Sequence, residues 1–313
     1  MVDIGTIIGG GFKLIRQRPG SVAIWALIFA AMAVATQMMV MMQMRSMGVL
    51  DGTPDAVPNP AAMMTWMVPT QLLNFAVWIV TVVLGCAVYR SILRPSEGGF
   101  AGMRIGMDEV RVFGTGLILF IAVCIVMVVA MLLAVFVGLG LGLFAPGQSG
   151  PGMGVAVIGL LMLVLFLGSI FLWVRLSLAL PLTFATRRIG IDQSWSLTRG
   201  HFWTLFLAYL VIAIITMVVG ILVALPYLGA IFGVMAEAMR NPASAQQAQA
   251  HMMAAMFDRP LPILIGLAVL GGIAQALILA IGTGATATAA RELLLANGEV
   301  LEDDADSVAA VFD

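Results

Sequence analysis

Six apolar segments, near residues 21–44, 69–92, 113–144, 154–184, 202–235 and 261–290, constrain this chain more than any other feature. A helix that crosses a bilayer needs roughly 20 apolar residues, so each segment suffices for one crossing and none for two. Backbone inside lipid must satisfy its own hydrogen bonds, and for runs of this length that means α-helix. Composition points the same way: 62% of the residues are hydrophobic and 10% charged, where a soluble domain carries about 25% charge. The expected fold class is therefore all-α, a polytopic membrane helix bundle of about six transmembrane helices with cytoplasmic interfacial helices. Residues 1–296 form the membrane domain. Residues 297–313 carry Glu299, Glu302, Asp303, Asp304, Asp306 and Asp313 with no base, and are expected to be a disordered, acidic cytoplasmic tail.

The third and fifth segments exceed one crossing. Tilt would absorb the surplus, or in the fifth a break at Pro226 with 228–239 as a separate short helix. The first segment imitates a signal peptide ending at Ala31-Met32-Ala33, but its apolar run continues to about Met44. It reads as a retained helix.

Basic residues orient the spans. Lys13, Arg16 and Arg18, then Arg90, Arg94, Arg104 and Arg111, then Arg187, Arg188 and Arg199, and finally Arg291 all fall on one side. Only Arg45, Arg240 and Arg259 fall on the other. Positive charge stays inside, so both termini of this multi-pass chain are expected in the cytoplasm, on a bacterial inner membrane. Three stretches on that side, 3–17, 101–112 and 189–201, precede outward-going spans and read as amphipathic interfacial helices. One repeated unit, an interfacial helix plus a transmembrane hairpin, would generate all three. So would the general tendency of inward loops to be basic and amphipathic. In the first stretch Ile4, Ile7, Ile8, Phe12 and Ile15 make the apolar face, and Gly9, Gly10 and Gly11 weaken it as a helix. On the outer side, 45–68 and 145–153 read as loops and 241–257 as a small helix.

Arg175 is the only charge set well inside an apolar span. It costs at least a few kcal/mol there unless it reaches water, a phosphate or another polar group. Two readings stand: snorkelling with carbonyl contacts, or a phosphate or head-group site. Its polar partners would be lipid phosphates, carbonyls freed near Pro181, or the interfacial Asp108, Glu109 or Asp192. Arg187, Arg188, Arg199 and Trp195 lie on the same side and complete the candidate lipid or anion contact. Pro181 and Pro226 are expected helix kinks. Such broken spans can expose backbone to a cargo, yet no Asp, Glu or His sits in any span to carry a proton. A proton antiporter is not expected.

Ala268, Gly272, Ala276, Ala280, Gly284 and Thr288 place a small residue at every fourth position of the sixth segment. This is a ridge for close helix contact, either within the bundle or across a dimer. Cys86 and Cys124 lack metal-type spacing and read as small apolar residues. Methionines cluster on the outer side (Met38, Met39, Met41, Met42, Met44, Met47, Met63, Met64, Met67, Met252, Met253 and Met256, beside His251). Thioethers favour Cu(I), but methionine also fills apolar surfaces, so no metal or cofactor is expected. His201 and His251 fall on opposite sides. No Gly-Xaa-Ser-Xaa-Gly, Walker or HExxH pattern occurs, and no enzyme is expected. A net charge of −1 argues against nucleic acid.

Two runs carry a family likeness: Arg175-Leu-Ser-Leu-Ala-Leu-Pro181, and Ser194-Trp195-Ser-Leu197-Thr198-Arg199-Gly200-His-Phe202-Trp203. They resemble the membrane domain attached to some bacterial glycerophosphodiester phosphodiesterases, and stand-alone inner-membrane proteins of the same layout. Tyr89-Arg90, Gly98-Gly99-Phe100 and Asp108-Glu109 add to the likeness. No counterpart of the catalytic barrel that follows in those enzymes is expected here, so the resemblance implies a glycerophospholipid context without the activity. The expected function is a non-enzymatic membrane protein that binds phospholipid or scaffolds a membrane partner, which a homo-oligomer would also satisfy. The alternative is a transporter or channel for a lipid-like or small amphipathic cargo.

Overall fold

The computed structural model describes residues 3–46, 60–97, 99–104, 106–140, 153–240 and 260–298. Among them every regular element is an α-helix: α1 (Ile4–Gln17), α2 (Pro19–Ser46), α3 (Pro60–Leu93), α4 (Met107–Gly140), α5 (Met153–Leu176), α6 (Ala179–Thr186), α7 (Ile191–Leu197), α8 (Phe202–Arg240) and α9 (Leu261–Ala296). Six stretches are long and apolar enough to cross a membrane: Pro19–Ser46, Met64–Leu93, Met107–Leu139, Gly159–Thr186, Phe202–Gly229 and Leu261–Ala296. The chain is a multi-pass, all-α membrane protein. Only 6% of the apolar window of α4, and 6% of that across α5 and α6, is buried by the rest of the chain. Phe120, Ile125, Met131, Phe136, Leu163 and Phe166 all face outward. In water such a surface would drive aggregation; in hydrocarbon it needs no cover.

The chain divides into two compact units, one of Met1–Thr6, Ile105–Leu207 and Thr286–Asp313, the other of Ile7–Arg104 and Ala208–Ala285. The second unit is built on the part of α9 that ends at Ala285. Gly272, Ala276, Ala280 and Gly284 are buried, and the backbones of two other helices lie directly on them. A Cβ at Gly272 would collide with the backbone of Ala30 in α2. A Cβ at Gly11 of α1 would sit 2.5 Å from Cα of Ile281, and one at Gly284 would sit 2.7 Å from Cα of Gly11. Leu14, Val22, Trp25, Phe29, Leu84, Ala87 and Val88 close around this ridge as one buried cluster with Ala276 and Ala280. The small residues thus serve contact within the chain from Gly272 to Gly284; Ala268 is only half-buried.

The glycines that weakened α1 as a helix include its point of contact. Its buried stripe is Ile7, Gly11 and Leu14, so the apolar side docks on protein while Phe12, Lys13 and Arg16 face outward. The stretch 101–112 is not a separate interfacial helix. Residues 100–103 form a tight turn, and helix begins at Met107 and continues unbroken as α4. Glu109, the third residue of α4, accepts the Gly106 N–H at 2.9 Å; this is one half of a capping box and fixes the start there. No separate helix begins after Pro226: α8 runs through it from Phe202 to Arg240. The loop 145–152, the segment 241–257 with Met252, Met253, Met256 and His251, Met47 and most of the acidic tail lie outside the described residues.

In the first unit α4 packs against α5 and α6, and α7 packs against α5 and α6. Overfilling the ridge of the second unit has a predictable cost. Gly272→Val should lower stability in detergent by about 1–3 kcal/mol or more, because the neighbour it strikes is backbone and cannot rotate away. Gly266→Ala, where an added Cβ meets nothing within 4 Å, should be neutral or slightly stabilising. Thermal unfolding of both variants checks the pair.

Candidate functional site

The fourth span is broken. Pro181 has no N–H to offer the carbonyl of Ser177, so the helical ladder lapses at Ser177 and Leu178 and resumes as α6. Pro181 is tolerated as the third residue of α6, where a helix has N–H groups without partners in any case. The lapse leaves room for α7. Ser194 Oγ donates to the Arg175 carbonyl at 2.7 Å, and Thr198 Oγ1 donates to the Ser194 carbonyl at 2.8 Å.

A second polar contact locks α6 and α7 from the other end. The buried Thr183 hydroxyl donates to Ala179 O at 2.7 Å and accepts the Gly190 N–H at 3.0 Å. Thr115 Oγ1 of α4 lies 3.3 Å away. With the Thr183 proton already committed, Thr115 is the donor of that pair. Gly190 is required here because a Cβ would sit 2.8 Å from that of Leu182.

Arg175 lies in the last turn of α5, where the helix dipole favours a cation. Both of its side-chain hydrogen bonds leave from Nη1, to Thr198 Oγ1 at 3.3 Å and to the Trp195 carbonyl at 3.4 Å. Nε is enclosed and has no hydrogen-bond partner among the described residues. The guanidinium carbon stands 5.2 Å from the Phe171 ring centre and 5.3 Å from that of Trp195. The two rings are 6.1 Å apart at 84°, so they form a corner with the cation in it. Phe202 extends the Phe171 wall, at 5.3 Å. Of the carboxylates considered as partners, Asp108 pairs with Arg111 at 2.8 Å, Glu109 caps α4, and Asp192 stands exposed in the first turn of α7. The carbonyl that Arg175 meets belongs to α7, not to the break near Pro181.

The other members of the set are surface groups of the same unit. Arg187, which ends α6 in the left-handed conformation (φ 56°), Arg188 and Arg199 are exposed. Ile189, Trp195 and Trp203 are exposed to 61%, 44% and 70%. Cations and amphipathic rings therefore alternate along 187–203 over buried Leu197 and Thr198, with the Arg175 corner beside them.

Sequence reasoning missed a polar anchor in the second unit. Arg90 and Arg94 counted as topology charges, and Arg90 also toward the family likeness, yet both are buried and share Glu97, at 3.5 Å and 3.2 Å. Arg90 Nη1 donates to Gly102 O at 2.6 Å, and Trp25 Nε1 donates to Ala101 O at 3.1 Å. Together they hold a turn in which Ala101 and Gly102 both have positive φ. The run Gly98-Gly99-Phe100-Ala101-Gly102 was the available signal, since so many glycines between spans mark a turn the backbone must make tightly.

Removing the shared hydroxyl tests the lock. Thr183→Val leaves the Gly190 N–H buried without an acceptor and should cost about 1–3 kcal/mol. Thr115→Val removes a single bond and should cost about 0.5–1.5 kcal/mol. Equal thermal shifts for the two would contradict the bonding pattern.

Comparison with known proteins returns no matching family model, no matching curated protein and no matching solved structure, so the function is argued from this geometry.

Proposed function

We propose that this chain is a non-enzymatic inner-membrane protein whose cytoplasmic belt engages anionic phospholipid. The observation that carries the reading is the exposed run of Arg187, Arg188, Ile189, Trp195, Arg199 and Trp203 in one compact unit. Arginine matches phosphate geometry, and tryptophan settles at the level of lipid head groups. The likeness of 175–181 and 194–203 to the phosphodiesterase membrane domains supports a glycerophospholipid context. Binding of this kind would hold the protein to a lipid environment or present it to a membrane partner, a second copy included.

The transporter reading draws on the broken fourth span. Polar groups beside the break are taken up within the chain: Ser194 bonds the Arg175 carbonyl, and the Thr183 hydroxyl meets both the Gly190 N–H and Thr115. With these groups bonded inside the chain, the broken span favours binding at the surface over passage of a cargo.

Native mass spectrometry of the detergent-purified protein with added phosphatidylglycerol tests the proposal. The variant with Arg187→Gln, Arg188→Gln and Arg199→Gln should lose most retained lipid while remaining folded; full retention would end the reading. Orientation has its own test. With Cys86 and Cys124 replaced, Ser196→Cys should resist an impermeant thiol reagent added outside intact cells and react after lysis. Labelling from outside would invert the belt.

A further inference from the structure

We infer that Arg175 sets the head-group preference of this belt by occupying an aromatic corner that would otherwise hold a quaternary ammonium. The inference rests on the lipid-binding reading and deepens it by naming the chemistry that is rejected. Phe171 and Trp195 stand at nearly right angles, and both are open to the surroundings at 39% and 44% exposure. Two ring faces meeting in this way attract a cation, and choline is recognised elsewhere in nature by such walls. Here the chain supplies its own cation, with the guanidinium carbon 5.2 Å and 5.3 Å from the two ring centres.

The same placement limits what Arg175 does to a phosphate. A bidentate grip uses Nη1 with Nη2, or Nε with Nη2. Nη1 is committed to Thr198 and Trp195, and Nε is enclosed. Arg175 therefore acts as a cationic plug and a specificity-determining residue. The phosphate-facing groups are Arg187, Arg188 and Arg199. A lipid with a trimethylammonium group finds the corner filled and like-charged; a lipid with an anionic head group meets no such penalty.

Competition in nanodiscs of equimolar phosphatidylglycerol and phosphatidylcholine, read by native mass spectrometry of the released protein, tests this. Wild type and Arg175→Lys, which keeps a cation in the corner, should both retain phosphatidylglycerol in preference. Arg175→Ala should gain phosphatidylcholine by about fivefold or more. That gain should disappear in Arg175→Ala with Trp195→Ala, which separates an opened aromatic corner from simple loss of one positive charge. A gain that survives removal of Trp195, or no gain in a folded Arg175→Ala, overturns the inference. A wild type that already holds phosphatidylcholine as well as phosphatidylglycerol overturns it whether or not the alanine variant folds. Failure of the underlying reading shows elsewhere, as undiminished phosphatidylglycerol on neutralising Arg187, Arg188 and Arg199.

Discussion

Close approach of helix backbones along α9 is the contact on which the second unit depends. In lipid, apolar side chains gain little by leaving their surroundings, so helices associate through van der Waals contact and polar bonds. Both improve when nothing intervenes between backbones. Gly272 brings α2 onto α9, and Gly11 with Gly284 brings α1 onto it. Around these two points the larger residues Trp25, Phe29, Leu84 and Leu14 close as one buried cluster. The indole of Trp25 then reaches the Ala101 carbonyl, so one packing decision also fixes the turn after α3.

The first unit is held by a different kind of bond. Its helices α4 and α5 bury little of their length. What order it has near the interface comes from hydroxyls: Thr115, Thr183, Ser194 and Thr198, each matched to a named carbonyl, amide or hydroxyl. These residues cluster where Pro181 interrupts the ladder. A broken helix in a low-dielectric setting needs polar partners for its free groups, and Ser194 of α7 supplies one to the Arg175 carbonyl. Arg175 belongs to the same arrangement, since its carbonyl, its guanidinium and the ring beneath it all face α7.

Sites of this composition sit between two demands. A cation near lipid must be solvated, and aromatic faces with carbonyl and hydroxyl oxygens solvate it without an acidic partner. That solution keeps the local charge positive. The exposed Arg187, Arg188 and Arg199 add to it, which is the electrostatic basis for reading the belt as a surface for anions.

The sequence by itself determined the all-α class, the six spans and the small-residue ridge, because length, apolarity and fourfold spacing are local properties of a helix in lipid. It also singled out Arg175, since a charge in an apolar run is conspicuous without any structure. Only the tertiary structure decided what those residues meet. The ridge could have faced another copy, but the backbones of Ala30 and Gly11 lie on it. Arg175 could have reached a carboxylate, but its hydrogen bonds go to Thr198 and to the Trp195 carbonyl. The stretch 101–112 has the periodicity of an interfacial helix, yet Trp25 and Arg90 bond the carbonyls of Ala101 and Gly102 and turn the chain there instead. Partner choice depends on groups 12 to 76 residues apart, and no local pattern carries that information.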